Sequence, residues 1–597
     1  MIRRPLRPLA GVIGARRRGQ NPDLIEAHRR AERLQAARAQ ERRRAEWRLS
    51  LLAFMLVAAF GGATLRMASI AASDPGEPEV ATRSAPLSAA RADITDRHGR
   101  VLATNIVAHA LYSEPSWMVD PDAAIEGLVG IFPDLDRAWL AEKFARRKFF
   151  FVRQAMSPEQ MQKVHDLGEP GLKFAPREIR AYPAGRPFSH LLGYAGIRNP
   201  DVDAAELRGI AGVEHAFDAW LSDPARFADA ANPAQALALS VDLTAQIALR
   251  EVLAAGIART GAKAATGVVM DARTGALLAM VSLPDFDPNN RPDDPKDPRL
   301  FNRAAQGVYE LGSTLKVITA ALAMERRLIG PDTLVDATPF RWAGLHVRDV
   351  HRMPPELTLR EVISRSSNPA TARIAVLAGA GAQKDLLQRL GLFDPVAVEL
   401  PEARQAQPLL PPRWTEPYLM TISYGHGLAV TPLHLAAAYA TLTNGGLRVT
   451  PTLVKGATPP GEEARVISAA TSASLRDMLR LVVTDGTGKA ADVPGYRVAG
   501  KTGTAEKVSP DGGYLEDRVL ATFAAVLPID APRYVVVVSL DEGSVEAYGR
   551  TWRSAGWTAA PLAAETIRRL APILGLRPAP SVDPAPGPGA IPVRNQG

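Results

Sequence analysis

The sequence contains no cysteine, which excludes disulfides, zinc–thiolate sites and catalysis by a thiol nucleophile. The chain of 597 residues is also poor in lysine, which accounts for only 12 of its 71 Lys and Arg residues. Arginine cannot give up its proton at usable pH, whereas a buried lysine can. In a chain that uses arginine wherever positive charge suffices, each lysine is therefore a candidate for chemistry.

The net charge of +8 does not indicate a nucleic-acid-binding surface, because the excess charge belongs to one terminal segment. Residues 1–48 contain fourteen arginines and five acidic residues, so this segment carries a net charge of +9 and the rest of the chain is close to neutral. We therefore expect a basic tail and no nucleic-acid partner.

An uncharged stretch of seventeen residues, Leu49–Leu65, follows the basic tail and is at the short end for a membrane span. A cleaved signal peptide is the alternative, since the nearby segment MASIAAS offers small residues for cleavage. A basic region of 48 residues is far too long for such a peptide. The sequence therefore predicts an uncleaved transmembrane anchor with its arginine-rich side in the cytoplasm and the rest of the chain outside.

Composition divides the whole chain into six parts, because a chain of this length requires several domains. The predicted order is a cytoplasmic basic tail (1–48), a transmembrane anchor (49–66), a linker (67–90), a mixed region of short strands and helices (91–235), a larger region of more regular pattern (236–576) and a disordered Pro-rich tail (577–597).

The larger region begins and ends with strand patterns and is mostly helical between them. A hairpin is predicted at TGVVMDARTGALLAMVS (266–282), strands at YRVAGKTGTAEK (496–507), VLATFAAVLPI (519–529) and RYVVVVSLDE (533–542), and a helix at WTAAPLAAETIRRLAPIL (557–574). This order predicts an α+β domain whose first and last elements share one sheet.

The segment GSTLK places Ser313 three residues before Lys316, and no other lysine in the chain has a serine at that spacing. Ser313 could be an ordinary helix N-cap, and such a pair could arise by chance. The following TLKVITAALAM is apolar on all sides, however, which predicts a buried helix. Burial lowers the pKa of a lysine towards the range of a base, so Lys316 could activate the Ser313 hydroxyl on the same helix face.

Two further short motifs follow in the chain. Ser366-Ser367-Asn368 is an S-x-N at the start of a second apolar helix, and alone it is weak because such residues are common in turns and caps. Lys501 opens the segment KTGTAEK, in which alternate residues of a strand share one face. A nucleotide-binding Walker A loop is the competing interpretation of GKTG, but its earlier glycine and its strand–loop–helix order are missing.

S-x-x-K, S-x-N and K-T-G in this order resemble the class B penicillin-binding proteins, the monofunctional peptidoglycan D,D-transpeptidases. Segments 91–105, 180–196, 209–221 and 423–446 are also similar to that family. The resemblance implies a penicillin-binding transpeptidase domain, which is serine β-lactamase-like with an antiparallel sheet and helices. A mixed pedestal domain of the dimerisation type (91–235) and one transmembrane helix would precede it.

The resemblance also implies roles in catalysis. Ser313 would attack the carbonyl of the penultimate D-Ala of a stem peptide, and uncharged Lys316 would take its proton. Ser366 would relay a proton to the leaving D-Ala, with Lys501 close by. The backbone N–H groups of Ser313 and Thr504 would form the oxyanion hole.

Substrate-binding roles follow from the same resemblance. Asn368 would hold the peptide amide, and Thr502 and Thr504 would bind the terminal carboxylate with the help of the charge on Lys501. Gly503, without a side chain, would let the substrate backbone approach. A second stem peptide's amine would then take the acyl group. No cofactor and no metal are expected.

Length and the basic tail favour the division-specific branch of the family, acting in septal cell-wall synthesis at the inner membrane. Expected partners are peptidoglycan stem peptides (lipid-linked or on nascent glycan), β-lactams, a polytopic membrane glycosyltransferase and other divisome proteins. The elongation-specific branch is the main alternative. A β-lactamase or penicillin sensor, and a non-catalytic divisome scaffold, are disfavoured by the anchor and by the three intact motifs.

Several other residues carry structural expectations. Leu311 and Leu315 depart from the proline and the aromatic residue that the family favours beside the nucleophile, and could alter the pocket wall. In the pedestal, four charged residues are expected to form a salt-bridged framework and not a second active site: Asp96, Arg97, Arg180 and Glu214.

Overall fold

The computed structural model describes residues 9–72, 91–197, 207–223, 235–509 and 512–579. The chain forms two compact units, Met1–Leu87 and Ser88–Gly597. The first unit contains helices α1 (Leu9–Arg17) and α2 (Pro22–Ala72). Within α2, the 23 residues Glu46–Ala68 are long and apolar enough to cross a membrane. Residues 73–90 of the predicted linker and 580–597 of the predicted Pro-rich tail lie outside the described residues.

The second unit opens with a mixed region that contains short strands and helices. Its strands are β1 (Ile94–Thr95), β2 (Val101–Ser113), β3 (Phe150–Met156), β4 (Leu172–Ala181), β5 (Tyr194–Ile197) and β6 (Leu207–Ala211). Its helices are α3 (Pro121–Ile131), α4 (Arg137–Ala145), α5 (Pro158–His165), α6 (Ser189–Leu192), α7 (Gly212–Ala216) and α8 (Asp218–Leu221). Strand β2 pairs with β1, β3 and β4, all antiparallel.

A buried ion network holds this mixed region together. The Glu214 carboxylate is fully buried and accepts from Arg91 at 2.5 Å and from Arg180 at 2.7 Å. Asp96 belongs to a separate group, where it pairs with Arg100. Arg97, which was expected in the same framework, makes no ion pair with the described residues. Loss of one partner from a buried ion pair typically destabilises a protein by about 3–5 kcal/mol, so the pairs of Glu214 with Arg91 and Arg180 should contribute to the stability of this region.

The larger region contains the remaining elements. Its strands are β7 (Leu237–Ala238), β8 (Ala264–Asp271), β9 (Leu277–Leu283), β10 (Tyr309–Glu310), β11 (Leu334–Asp336), β12 (Phe340–Trp342), β13 (Leu345–Val347), β14 (Glu356–Thr358), β15 (Ala429–Val430), β16 (Ala499–Val508), β17 (Tyr514–Leu527), β18 (Tyr534–Asp541), β19 (Val545–Ala547) and β20 (Arg550–Trp552). Its helices are α9 (Leu243–Thr260), α10 (Lys316–Glu325), α11 (Leu359–Arg365), α12 (Asn368–Ala378), α13 (Ala380–Arg389), α14 (Glu416–Ser423), α15 (Pro432–Thr443), α16 (Ala469–Thr484) and α17 (Ala559–Ile573).

A five-stranded antiparallel sheet of order β16-β17-β18-β8-β9 forms the centre of this region. The predicted hairpin, the three later strands, the C-terminal helix and their common sheet are confirmed. Both faces of the sheet are covered, because Val535 and Val537 pack into the core that contains α15, whereas Val536 and Val538 pack into the core that contains α9 and α17. Burial on both faces explains the unbroken apolar run in β18.

The mixed region and the larger region are joined through their first strands. Strand β7 pairs in parallel with β1, with Leu237 opposite Ile94. Asp242, the N-cap of α9, also accepts from Arg100 at 3.1 Å. The start of the larger region is therefore fixed on the sheet and ion groups of the mixed region.

Candidate active site

Ser313 lies on a single turn of 3-10 helix, Gly312–Leu315, and α10 begins directly after it at Lys316. The predicted buried helix is confirmed, but the serine stands in the turn that precedes it. Residues three apart eclipse one another in a 3-10 turn, so Ser313 and Lys316 share one side. The Ser313 side chain is half-buried and caps no helix, and its hydroxyl has no hydrogen-bond partner among the described residues. The N-cap alternative is therefore not supported.

Three glycines allow the nucleophile turn to approach its neighbours closely. A Cβ added to Gly312, whose φ is +56°, would lie 2.6 Å from the Thr504 carbonyl oxygen. A Cβ added to Gly425 would lie 1.8 Å from the Gly312 carbonyl oxygen, and one added to Gly503 would lie 2.2 Å from that of Leu311. Packing against the turn therefore requires a glycine at position 503, and the approach of a substrate backbone to Gly503 stays a prediction.

The Lys316 side chain is fully buried and its amine contacts the S-x-N motif. Its Nζ donates to Ser366 Oγ at 3.1 Å, to Asn368 Oδ1 at 2.6 Å and to the Ser366 carbonyl oxygen. The Lys316 backbone N–H donates to the Ser313 carbonyl oxygen, but among the described residues no hydrogen bond joins the Lys316 amine to the Ser313 hydroxyl. Burial lowers the pKa of Lys316 well below its usual value and the charge of Lys501 lowers it further, whereas Asp349 raises it.

Lys501 is a second fully buried lysine and approaches the same serine from β16. Its Nζ donates to Ser366 Oγ at 3.0 Å and to Thr502 Oγ1 at 3.4 Å. Burial lowers the pKa of Lys501 to about 7. The Ser366 hydroxyl therefore lies between two amines whose pKa values are both lowered by burial.

The backbone at Ser366 is held in the left-handed region, with φ of +68°. This residue ends α11, where its N–H donates to the Val362 carbonyl, and Ser367 then caps α12 by accepting from the Ala370 N–H. A residue other than glycine persists in this conformation only where its surroundings enforce it, and such strain is common at active sites.

The predicted substrate-binding residues are partly engaged within the protein. Asn368 Oδ1 accepts from Lys316, and Asn368 Nδ2 donates to the Arg348 carbonyl at 3.1 Å. Thr504 Oγ1 accepts from the Ala555 N–H at 3.0 Å, which leaves the Thr504 hydroxyl proton available to a ligand. Each contact uses one of the two lone pairs of Asn368 Oδ1 or one of the two hydrogens of Nδ2, so this side chain keeps one acceptor site and one donor for a peptide amide.

Other residues near the site were not anticipated from the sequence. Thr502 shares a hydrogen bond of 2.7 Å with Thr487, which follows α16. Asp349 accepts from Ser367 Oγ at 2.8 Å and from the Asn368 N–H at 2.5 Å. A threonine and an acidic residue in loops carry no signal in the sequence, because only the folded chain brings them to the motifs.

The Glu310 side chain, three residues before Ser313, is mostly buried. Its carboxylate accepts from the Gly427 N–H at 2.7 Å and from the Tyr514 hydroxyl at 3.1 Å, and His426 Nδ1 lies 3.4 Å from it. The two residues that depart from the family pattern, Leu311 and Leu315, are both buried in the hydrophobic core and therefore contribute to packing beneath the turn.

The assembled site contains the half-buried hydroxyl of Ser313, the Ser366 hydroxyl between two lysine amines, and threonine hydroxyls on the edge strand β16. Within the described part of the chain, no group of three or more His, Asp or Glu side chains could hold a metal ion. The arrangement can activate a hydroxyl for acyl transfer by proton transfer to a buried lysine.

Known proteins share both this fold and this order of domains. Two protein-family models match the chain. The penicillin binding protein transpeptidase domain matches residues 265–563, and the penicillin-binding protein dimerisation domain matches residues 86–223. A probable peptidoglycan D,D-transpeptidase FtsI of Caulobacter vibrioides is 36% identical over 82% of this chain and 82% of its own length. The peptidoglycan D,D-transpeptidase FtsI of Escherichia coli K12 is 29% identical over 86% of this chain and 91% of its own.

A solved structure gives the same result. Penicillin binding protein 3 from Mycobacterium tuberculosis, complexed with ampicillin, superposes with a TM-score of 0.64 at 27% identity, covering 84% of this chain and 98% of its own. The resemblance seen in the sequence is confirmed: the chain is a class B penicillin-binding protein, with the transpeptidase domain of that family preceded by its dimerisation domain.

Proposed function

We propose that this protein is a peptidoglycan D,D-transpeptidase that cross-links stem peptides through an acyl-enzyme on Ser313. The observation that carries the proposal is the convergence of two fully buried lysines, Lys316 and Lys501, on the Ser366 hydroxyl beside the half-buried Ser313. The names of the Caulobacter and E. coli relatives support the same activity.

Acylation begins with attack of Ser313 Oγ on the carbonyl of the penultimate D-Ala, while the neutral fraction of Lys316 accepts the hydroxyl proton. The backbone N–H groups of Ser313 and Thr504 stabilise the oxyanion. When the peptide C–N bond breaks, Ser366 donates its proton to the leaving D-Ala amine and recovers one from a lysine amine that it contacts. An acceptor amine then attacks the acyl-enzyme, loses its proton by the reverse route and releases Ser313.

Substrate binding follows from the position of β16. Among the described strands, β16 pairs only with β17, so an extended peptide can lie along its other edge. Thr502 and Thr504 then offer hydroxyls to the terminal carboxylate. A bound carboxylate would raise the pKa of Lys501 and favour its charged form, which strengthens the contact.

The site of action is the division septum, with the catalytic domain outside the inner membrane and the basic tail in the cytoplasm. The FtsI names of the two relatives and the length of the tail support this branch. The arginine-rich tail supports this orientation, because positive charge is retained on the cytoplasmic side. Divisome proteins, including a polytopic membrane glycosyltransferase, are the proposed partners.

A reporter fused after residue 597 tests the orientation. A reporter that is active only outside the cytoplasm should be active, and one that is active only inside should not, because one uncleaved span follows a cytoplasmic tail. A mature N-terminus near Ala72, found by N-terminal sequencing, would show instead that the segment is a cleaved signal.

A fluorescent tag on the full chain should localise to the septum, and labelling of the side wall alone would favour the elongation branch.

The lifetime of the acyl-enzyme tests the proposed activity against that of a β-lactamase. A penicilloyl adduct on Ser313 should persist for hours rather than seconds, because hydrolysis needs a carboxylate or similar base to activate water. The nearby carboxylates of Glu310 and Asp349 are already engaged by donors of the protein itself.

Intact-mass measurement after removal of free penicillin gives this lifetime. The mass of the adduct should remain, and peptide mapping should locate it on Ser313. Rapid return to the unmodified mass, with hydrolysed drug in excess over protein, would instead identify a β-lactamase.

A further inference from the structure

Asp349 lies in the loop between β13 and β14 and contacts the S-x-N motif with both carboxylate oxygens. Its Oδ2 accepts from Ser367 Oγ at 2.8 Å, and its Oδ1 accepts from the Asn368 N–H at 2.5 Å. The carbonyl of the preceding Arg348 accepts from Asn368 Nδ2. The loop therefore binds two consecutive residues of the motif by three hydrogen bonds.

These bonds act on the turn that the active site most depends on. Ser366 is in the left-handed conformation, which a serine keeps only if neighbouring contacts hold it there. Among the described residues, the acceptors of the Lys316 amine all belong to Ser366 and Asn368. A shift of the turn would therefore move every acceptor of that amine at once.

We propose that Asp349 is a positioning residue for the acylation step: its carboxylate fixes the turn from Ser366 to Asn368 so that the turn holds the Lys316 amine beside Ser313. This inference rests on the proposed function only in treating Lys316 as the base. Nothing in the three sequence motifs assigns a role to this residue.

The charge of Asp349 adds a second, measurable effect. The charged groups that face Lys316 are Lys501 from β16, which lowers the pKa of the Lys316 amine, and Asp349 from the loop, which raises it. If the Asp349 charge is removed, the protonated form of Lys316 loses stabilisation. Lys316 should then give up its proton at a lower pH than in the wild type.

Two variants of the full-length protein in detergent separate the two effects. Asp349→Asn removes the charge and replaces one acceptor by an NH2 donor, so one of the two bonds to the motif is lost. Ser367→Ala breaks the bond from Ser367 Oγ to Asp349, also removes the side-chain cap of α12, and keeps the charge of Asp349. Glu356→Gln makes the same charge change on β14, where the exposed Glu356 side chain has no partner among the described residues.

The acylation rate with a fluorescent penicillin is measured against pH. Both Asp349→Asn and Ser367→Ala should be slower by about 10- to 100-fold, the effect of a small misplacement of catalytic groups. Only Asp349→Asn should move the acid limb of the profile to lower pH, and Glu356→Gln should behave as wild type. A slower Asp349→Asn with an unmoved limb, or an unchanged rate, would overturn the proposal.

A measurement that needs no acylation keeps this proposal separate from the proposed function. With 13C at the lysine ε-carbon, NMR follows the protonation of each of the 12 lysines, and Lys316→Met identifies the Lys316 signal. The pH at the midpoint of Lys316 deprotonation should be lower in the Asp349→Asn variant than in the wild type, and it should be unchanged in the Glu356→Gln variant. An unmoved midpoint would overturn the role of Asp349, whether or not the wild type reacts with penicillin.

Discussion

Replacement of Ser313 by alanine is expected to abolish covalent labelling by penicillin while leaving the fold intact. The proposed acyl bond forms on this oxygen, and no other serine in the chain precedes a lysine by three residues. The Ser313 hydroxyl has no hydrogen-bond partner among the described residues, so its loss should change the free energy of unfolding by no more than about 0.5 kcal/mol. Gel fluorescence of the full chain measures the penicillin labelling, and thermal unfolding in the same detergent measures the change in stability.

Thr314→Val is the matched control, because Thr314 carries the other hydroxyl on the same turn. That side chain is fully buried and donates to the Leu311 carbonyl at 2.9 Å, so it cannot reach a ligand. The valine variant should retain labelling on Ser313. An acyl adduct that persists in Ser313→Ala and maps elsewhere by mass spectrometry would remove Ser313 from its role.

The central sheet and the order of the motifs could be predicted from the sequence because their signals are local. The apolar run of β18 and the hairpin of β8 and β9 are patterns within a few residues. The buried helix after Ser313 was equally visible. Even so, the 3-10 turn was not predicted, because its geometry depends on the close packing of Gly312 against β16.

The parts of the site that were not predicted depend on contacts between distant segments. Asp349 is 17 residues before Ser366 in the chain, and its position in an exposed loop resembles that of any acidic residue. The close approach of the Leu311 carbonyl to Gly503 was also not predicted. Such pairings arise from tertiary packing, and no spacing rule in a single sequence reports them.

Replacement of Lys316 by arginine should lower the acylation rate by about 10²–10⁴-fold, the usual contribution of a general base. Burial and the neighbouring Lys501 lower the pKa of Lys316, so a neutral amine becomes available as the pH rises through that lowered pKa. The wild-type rate should therefore increase with pH and then level off. An arginine keeps its proton throughout, so the variant should lose both the rate and this rise.

Lys507→Arg, on the same strand as Lys501, separates loss of a base from a general effect of arginine. Lys507 pairs with Asp541 and Glu542 at 2.9 Å and acts only through its charge, which arginine retains. This control should acylate at the wild-type rate across the pH range. Thermal unfolding of Lys316→Arg establishes that the folded protein is being assayed. If folded Lys316→Arg acylates near the wild-type rate, Lys316 serves as a positive charge and the base must be sought elsewhere, first at Lys501, whose amine contacts the same serine.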